Sequence, residues 1–246
     1  MTNAVLILGA TSTIAKACAQ GFAKKGFNLF LAGREEPELI RMAADIKIRF
    51  SVDVRYGVFD AENYASHGQF LENVIRQMNG LTGALLAFGY LGEPKKAIYD
   101  FEQAQKIINI NFTGACSILN LCANYFAKQN HGFIVAISSV AGDRGRQSNY
   151  LYGSAKAGLN VYLEGLRNRL HQHKVRVITI KPGFVDTKMT FGLPGMFLVA
   201  SPQTIGEKIV HSLDHSKDTV YLPWFWRYIM LIIKSITEFI FKRLKL

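Results

Sequence analysis

The chain has 246 residues, 49% of them hydrophobic, which suits one α/β domain with a large core. A net charge of +11 fits either a solvated basic surface or an anionic partner such as a nucleotide or membrane surface. A nucleic acid, which the charge alone also fits, is not the expected partner, because no basic stripe interleaved with aromatics occurs outside the tail. Cys18, Cys116 and Cys122 are odd in number and lack metal-ligand spacing. They argue against a disulfide framework and a metal site, and read as reduced, buried thiols of a cytosolic protein. The N-terminus carries no cationic segment before an apolar run and no cleavage site, so no targeting peptide is expected.

In chain order, residues 4–8 form a continuous apolar run, the pattern of a strand buried on both faces. A Gly-containing turn, Gly9 to Thr13, leads into a predicted helix over 14–24, ended by Gly26. Strands are predicted over 28–32, 54–59, 84–88, 133–137 and 175–180, with a last one over 219–222. Helices are predicted over 37–49, 63–78, 101–128 and 152–171. This alternation implies a doubly wound, Rossmann-type parallel sheet covered by helices on both faces. Ligands of such sheets bind beyond the carboxyl ends of the strands. Gly9, Arg34, Asp60, Gly89, Ser139 and Pro182 each follow a predicted strand, so they should converge on one crevice.

Tyr152 and Lys156 are four apart on a predicted helix and therefore share a face. An ammonium near a phenol lowers the phenol pKa from about 10. Tyr152 then becomes a proton donor to a carbonyl, or an acceptor from an alcohol. Ser139 ends the apolar run 133–137 and can hydrogen-bond the same oxygen. At the other end of the crevice, a strand, turn and helix hold a pyrophosphate on backbone N–H groups and the helix dipole. Thr11, Ser12 and Thr13 offer hydroxyls there, although a plain tight turn has the same sequence. Arg34 after strand two suits a ribose 2′-phosphate, where a carboxylate would suit a free 2′-hydroxyl. The expected cofactor is therefore NADP(H), with NAD(H) left open because Glu35 and Glu36 follow at once. Asp60 either caps the next helix or bonds an adenine amino group.

The chain resembles the short-chain dehydrogenase/reductase family over nearly its full length. The residues that carry the likeness are Gly9 to Ala15, Asp60, Asn111-Phe112-Thr113-Gly114, Ser139, Tyr152, Lys156, and Pro182-Gly183 with Thr187. The resemblance implies a catalytic set of Asn111, Ser139, Tyr152 and Lys156. Ser139 would polarise the carbonyl and Tyr152 would exchange the proton. Lys156 would lower the tyrosine pKa and hold the nicotinamide ribose, and Asn111 would hold a relay water. The implied cofactor contacts are Gly9, Thr11, Ser12, Thr13, Ile14, Arg34, Asp60, Ala87, Gly89, Tyr152, Lys156, Pro182, Gly183, Val185 and Thr187. The chain departs from the family pattern in Thr13 and Ala15, which replace two glycines, and in Leu86-Ala87-Phe88-Gly89 after strand four.

A narrower resemblance lies in Ala87 to Gly92, Ile110 to Thr113, Ser138 to Arg144 and the tail. It is to the reductase component of decaprenylphosphoryl-ribose 2-epimerases, which implies a polyprenylphosphate-linked 2-keto-pentose substrate and a partner oxidase. Other lipophilic ketones, or a non-catalytic dinucleotide sensor, are the alternatives. A homo-oligomer is implied by the family alone.

Residues 1–220 are expected to form the domain and 221–246 an amphipathic tail. Arg227, Lys234, Glu238, Lys242 and Lys245 share one helical face, with apolar residues over the rest and Trp224 and Trp226 at the start. The apolar run 228–233 is far short of the roughly 20 residues that span a bilayer. The tail therefore reads as a helix on the cytoplasmic face of the membrane, or one packed on a neighbouring subunit or across the substrate cleft. The loop 189–199 suits a mobile lid over a greasy substrate, or core packing.

Overall fold

The computed structural model describes residues 3–192 and 196–244. Leu193, Pro194 and Gly195 of the expected lid, and Lys245 of the tail, lie outside the described residues. The first half alternates strand and helix. It runs β1 (Ala4–Leu8), α1 (Thr13–Lys24), β2 (Asn28–Gly33), α2 (Glu36–Phe50), β3 (Val54–Val58), α3 (His67–Met78) and β4 (Gly83–Leu86). There follow α4 (Pro94–Ala97), α5 (Phe101–Ile108), α6 (Gly114–Gln129), β5 (Gly132–Ile137), α7 (Tyr150–His171) and β6 (Val175–Pro182). The chain closes with α8 (Pro202–His211), β7 (Thr219–Leu222), α9 (Trp226–Ser235) and α10 (Glu238–Phe241).

The strands form one seven-stranded sheet in the order β3-β2-β1-β4-β5-β6-β7, parallel throughout. Side chains alternate across each strand. Ala4, Leu6 and Leu8 of β1 enter the core under α3, α6 and α7. Val5 and Ile7 enter the opposite core under α1, α2 and α8. The chain order reverses between β1 and β4, which opens the crevice there.

The helix predicted over 101–128 is not uniform. A π-helical turn, Asn109–Thr113, separates α5 from α6 and carries Asn111. Wider turns of this kind place one extra residue per turn and recur at functional sites. The helix predicted from 63 begins as a 3₁₀ turn, Tyr64–Ser66. β4 ends at Leu86, so Ala87 and Phe88 belong to the loop.

The tail differs most from expectation. Tyr221 and Leu222 complete β7 on the sheet edge, pairing with Lys181 and Pro182. The helical part starts at Trp226 and breaks at Ile236, whose backbone is extended (φ −63°, ψ 125°). Arg227, Lys234, Glu238 and Lys242 therefore do not line one continuous helical face. Trp226 is 1% exposed whereas Trp224 is 67% exposed. Trp226 packs with Val140 and Met230 into a small separate core, edge-on to Phe184 with ring centroids 5.6 Å apart. A Cβ on Gly183 would lie 1.9 Å from the indole nitrogen of Trp226, so only glycine leaves room for the ring.

Charged groups fasten this segment to the loop after β5. Asp143 receives Lys181 Nζ at 2.7 Å on one oxygen and the Tyr221 hydroxyl at 2.7 Å on the other. The Arg144 guanidinium donates to the carbonyls of Ile233, Lys234 and Ile236 at 3.1, 2.9 and 2.6 Å. It also lies 3.8 Å over the Phe241 ring. A cation at a helix C-terminus satisfies carbonyls that have no partner within the helix. No helix among the described residues is long and apolar enough to cross a membrane.

Candidate active site

A cleft of about 400 Å³ opens at the carboxyl ends of β1, β2, β3 and β4. Its size suits a small-molecule ligand. Gly9 forms its floor with φ +80°, and a Cβ there would come within 2.5 Å of Phe88 N. The glycine thus permits both the turn and the close approach of the β4 loop. Ser12 caps α1 by accepting from Ala15 N–H at 3.3 Å and donates to the Ala87 carbonyl at 3.3 Å. Its hydroxyl is engaged by the fold, and it lines the cleft beside Thr11. Thr13 and Ile14 form the first turn of α1 behind it.

Arg34 is exposed just beyond β2 and lines the cleft with Lys16, Arg41 and Lys188. Among the described residues it forms no ion pair. Lys16 and Arg41 both bind Glu38, and their hydrogen bonds, Lys16 first, hold its carboxyl down at about 2. Asp60 lines the cleft and accepts from Glu62 N–H at 3.0 Å. Its carbonyl meets Nε2 of buried His67 at 2.9 Å. These features fit a phosphate-bearing dinucleotide: a close-approach glycine, a helix N-terminus and unpaired basic charge at the ribose end.

At the other end, Ser139 follows β5 in extended backbone (φ −167°, ψ 154°), and its Oγ accepts from Ala141 N–H at 3.0 Å. Tyr152 and Lys156 lie one turn apart near the start of α7. Lys156 is 2% exposed and its Nζ donates to the Ile137 carbonyl at 3.2 Å. It sits 5.7 Å from the centre of the Tyr152 ring. Asn111 reaches across from the π turn. Its Nδ2 donates to the carbonyls of Tyr90 and Ile107 at 2.6 and 2.8 Å, and its Oδ1 accepts from Tyr90 N–H at 3.1 Å. A Cβ on Gly89 would stand 3.1 Å from Asn111 Oδ1 and 3.7 Å from Lys156 Nζ. The β4 loop, the π turn and α7 therefore meet at one point, between the cleft and Tyr152.

The electrostatics correct one expectation. Lys156 does not bring the Tyr152 phenol below its ordinary value. Burial raises it to about 12, with the Ser139 hydroxyl opposing. Burial also lowers Lys156 to about 8. Desolvation is the leading cause at both groups. A phenol that holds its proton at neutral pH is equipped to donate it.

The remaining expected residues serve the fold visibly. Pro182 ends β6, Gly183 N–H donates to the Leu222 carbonyl at 2.9 Å, and Val185 bridges to Ala200. Thr187 Oγ1 lies 3.2 Å from the Thr190 hydroxyl. Sequence reasoning missed the Lys16–Glu38–Arg41 cluster and His67, whose other ring nitrogen meets Ser117 Oγ at 2.9 Å. Lys16 reaches Glu38 across 22 residues and His67 reaches Ser117 across 50, which no local pattern signals, and only the Glu38–Arg41 pair, three apart on α2, is local.

Residues 3–194 match the family of short chain dehydrogenases. An uncharacterized oxidoreductase of Mycobacterium tuberculosis is 32% identical over 240 residues, covering 98% of this chain and 96% of that protein. Among solved structures, a NAD⁺-bound xylitol dehydrogenase superposes with a TM-score of 0.79 at 20% identity, covering 90% of this chain and 97% of that one. An actinorhodin polyketide ketoreductase with NADPH superposes at 0.81 with 17% identity, covering 91% and 97%. Fold, family match and relatives agree: the chain belongs to the short-chain dehydrogenase/reductase family and is an NAD(P)-dependent oxidoreductase.

Proposed function

We propose that the protein reduces a keto group on a lipophilic, polyprenylphosphate-linked 2-keto-pentose, with NADP(H) as the preferred dinucleotide. The carrying observation is half-buried Tyr152 with Lys156 Nζ 5.7 Å from its ring centre and Ser139 hydrogen-bonded beside it, and the exposed apolar Met189 lines the adjoining cleft. When bound, the dinucleotide supplies a hydride to the carbonyl carbon. The Tyr152 hydroxyl transfers its proton to the carbonyl oxygen, and the Ser139 hydroxyl donates a hydrogen bond to that oxygen. The Lys156 ammonium stabilises the charge left on Tyr152. Asn111 holds the Tyr90 backbone and, in this reading, a relay water.

NADP(H) is favoured by Arg34, a cation at the ribose end with no ion-pair partner among the described residues. Membrane attachment through the tail is favoured by exposed Trp224, Tyr228, Leu231, Ile232, Phe239 and Ile240 beside Arg227, Lys234, Lys242 and Arg243. The reading includes a cytoplasmic-leaflet location, a homo-oligomer and a partner oxidase that generates the ketone.

The test is turnover of a polyprenylphosphoryl 2-keto-pentose in detergent, with NADPH or NADH, by wild type and Tyr152→Phe. Turnover lost in the variant while dinucleotide binding persists supports the reading. Dinucleotide binding without turnover of this sugar rejects the substrate and directs attention to other lipid ketones. For attachment, Leu231→Glu with Ile232→Glu should release the protein from anionic liposomes, and unchanged sedimentation would reject that part.

A further inference from the structure

Phe59, Asp60 and Ala61, the residues after β3, form one wall of the cleft. Phe59 is tied to the sheet by its N–H, which donates to the Gly33 carbonyl at 2.9 Å. Asp60 and Ala61 lie beyond the sheet, where the chain turns. Asp60 Oδ1 accepts from Glu62 N–H at 3.0 Å, and its carbonyl accepts from Asn63 N–H at 3.2 Å. These bonds shape the turn but do not anchor it, because their partners move with it.

The anchor is His67, fully buried at the start of α3. Its Nε2 lies 2.9 Å from the same Asp60 carbonyl, and its Nδ1 lies 2.9 Å from Ser117 Oγ on α6. A carbonyl only accepts, so Nε2 carries the proton, and Nδ1 of the neutral ring accepts from the Ser117 hydroxyl. Gly114, one turn before Ser117, brings α6 against the same segment: a Cβ there would lie 2.2 Å from the Ala61 carbonyl oxygen. The imidazole also stacks on Phe59, ring centroids 4.8 Å apart. Phe59 in turn meets Phe88, a second residue of the cleft, at 5.9 Å. An apolar side chain would fill this space without the cost of desolvating an imidazole. What the imidazole adds is a bridge, with a donor toward the cleft wall and an acceptor toward a helix of the core.

We infer that His67 is a positioning residue for dinucleotide binding: by bridging the Asp60 carbonyl to Ser117, it fixes the wall against which the adenosine half of the cofactor lies. The inference rests on the dinucleotide reading of the cleft and adds to it a side chain that has no surface in the cleft. His67 acts through Asp60, whose carboxylate is the expected partner of the adenine amino group. It therefore governs affinity for the adenosine half and takes no part in proton transfer at Tyr152.

The experiment is calorimetric titration of the full chain with NADPH and with 2′,5′-ADP, a fragment that carries the adenosine half alone. NADH and 5′-AMP take their place if wild type prefers NADH. The proteins are wild type, His67→Leu, His67→Gln and Ser117→Ala. A hydrogen bond of this kind is worth roughly 3- to 10-fold. His67→Leu should weaken the dinucleotide and the fragment by the same factor, within that range. His67→Gln, whose amide Nε2 can donate to the Asp60 carbonyl, should recover most of the affinity. Ser117→Ala should weaken both ligands less than His67→Leu does, and it carries the test if His67→Leu does not fold. Thermal melts show which variants are folded. Lower melting temperatures with unchanged affinities would leave His67 a role in the fold alone and overturn the inference. A loss for the dinucleotide much larger than for the fragment would also overturn it, because the effect would then lie outside the adenosine half. Wild type that binds no dinucleotide would instead reject the reading of the cleft itself.

Discussion

Gly183→Ala is the most telling single change in the molecule. The added methyl would lie 1.9 Å from Trp226 Nε1 and 2.0 Å from Cε2. Ordinary heavy-atom contacts are about 3.5–4.0 Å, so the indole must retreat by at least about 1.5 Å. It has nowhere to go within its pocket, because Phe184, Phe197 and Phe225 surround it at centroid distances of 5.6, 5.5 and 6.4 Å. Overpacking of this kind costs about 1–3 kcal/mol. In a domain of this size each kcal/mol moves the melting temperature by about 2–4 °C, which gives a fall of about 2–12 °C. The tail should also loosen, since Trp226 and Met230 are the two residues of α9 that are buried. A Trp224→Phe background isolates the emission of Trp226, and red-shifted emission with faster proteolysis after β7 is expected. An unchanged melt and spectrum would refute the packing argument. Dinucleotide affinity measured on the same variant separates a tail effect from a cofactor contact at Gly183.

Three further outcomes follow from the site. Lys156→Met should stabilise the protein at pH 7 while abolishing turnover. The folded Lys156 pKa of about 8 lies below its ordinary 10.5, so the unfolded chain binds more protons between them. Wild-type stability should accordingly rise from about pH 8 to about pH 10, above which the elevated Tyr152 pKa acts in the opposite direction. Chemical denaturation against pH would show this slope, and its absence in wild type would contradict the burial of Lys156. Arg144→Ala should free the end of α9 and α10, at about 1–3 kcal/mol for the orphaned carbonyls. Limited proteolysis confined to the tail would report it, and intact tails would count against the staple. Arg34→Ala should reduce the NADPH-over-NADH preference about tenfold or more, read as a ratio of dissociation constants, and an unchanged ratio would remove Arg34 from that role.

Much of the crevice was legible in residue order. The apolar runs of β1, β4 and β5 marked strands buried on two faces, and Gly9 and Gly89, after β1 and β4, line the cleft as the parallel topology requires. Tyr152, Lys156 and Ser139 were readable because their spacing is local or tied to a strand end. Less was legible where contacts cross the chain. The π turn at Asn111 looks like ordinary helix in sequence, since its side-chain pattern barely changes when one residue is inserted in a turn. The reading of the tail as one amphipathic helix failed at Ile236 because Arg144, about 90 residues earlier in the chain, terminates α9 by occupying its carbonyls. Tyr221 belongs both to the strand predicted over 219–222 and to the expected tail, and the free edge of β6 holds it in the sheet.

The amino-acid order alone therefore determined the alternation of strands and helices, the position of the crevice and the side chains that are candidates for its chemistry. Each depends on hydrophobic periodicity or spacing within one or two turns of chain. Tertiary structure decided which Trp of the tail faces inward, which cations are already paired, and whether the phenol of Tyr152 keeps its proton. These depend on burial and on the competition of distant groups for the same hydrogen bonds, quantities that exist only once the elements have packed.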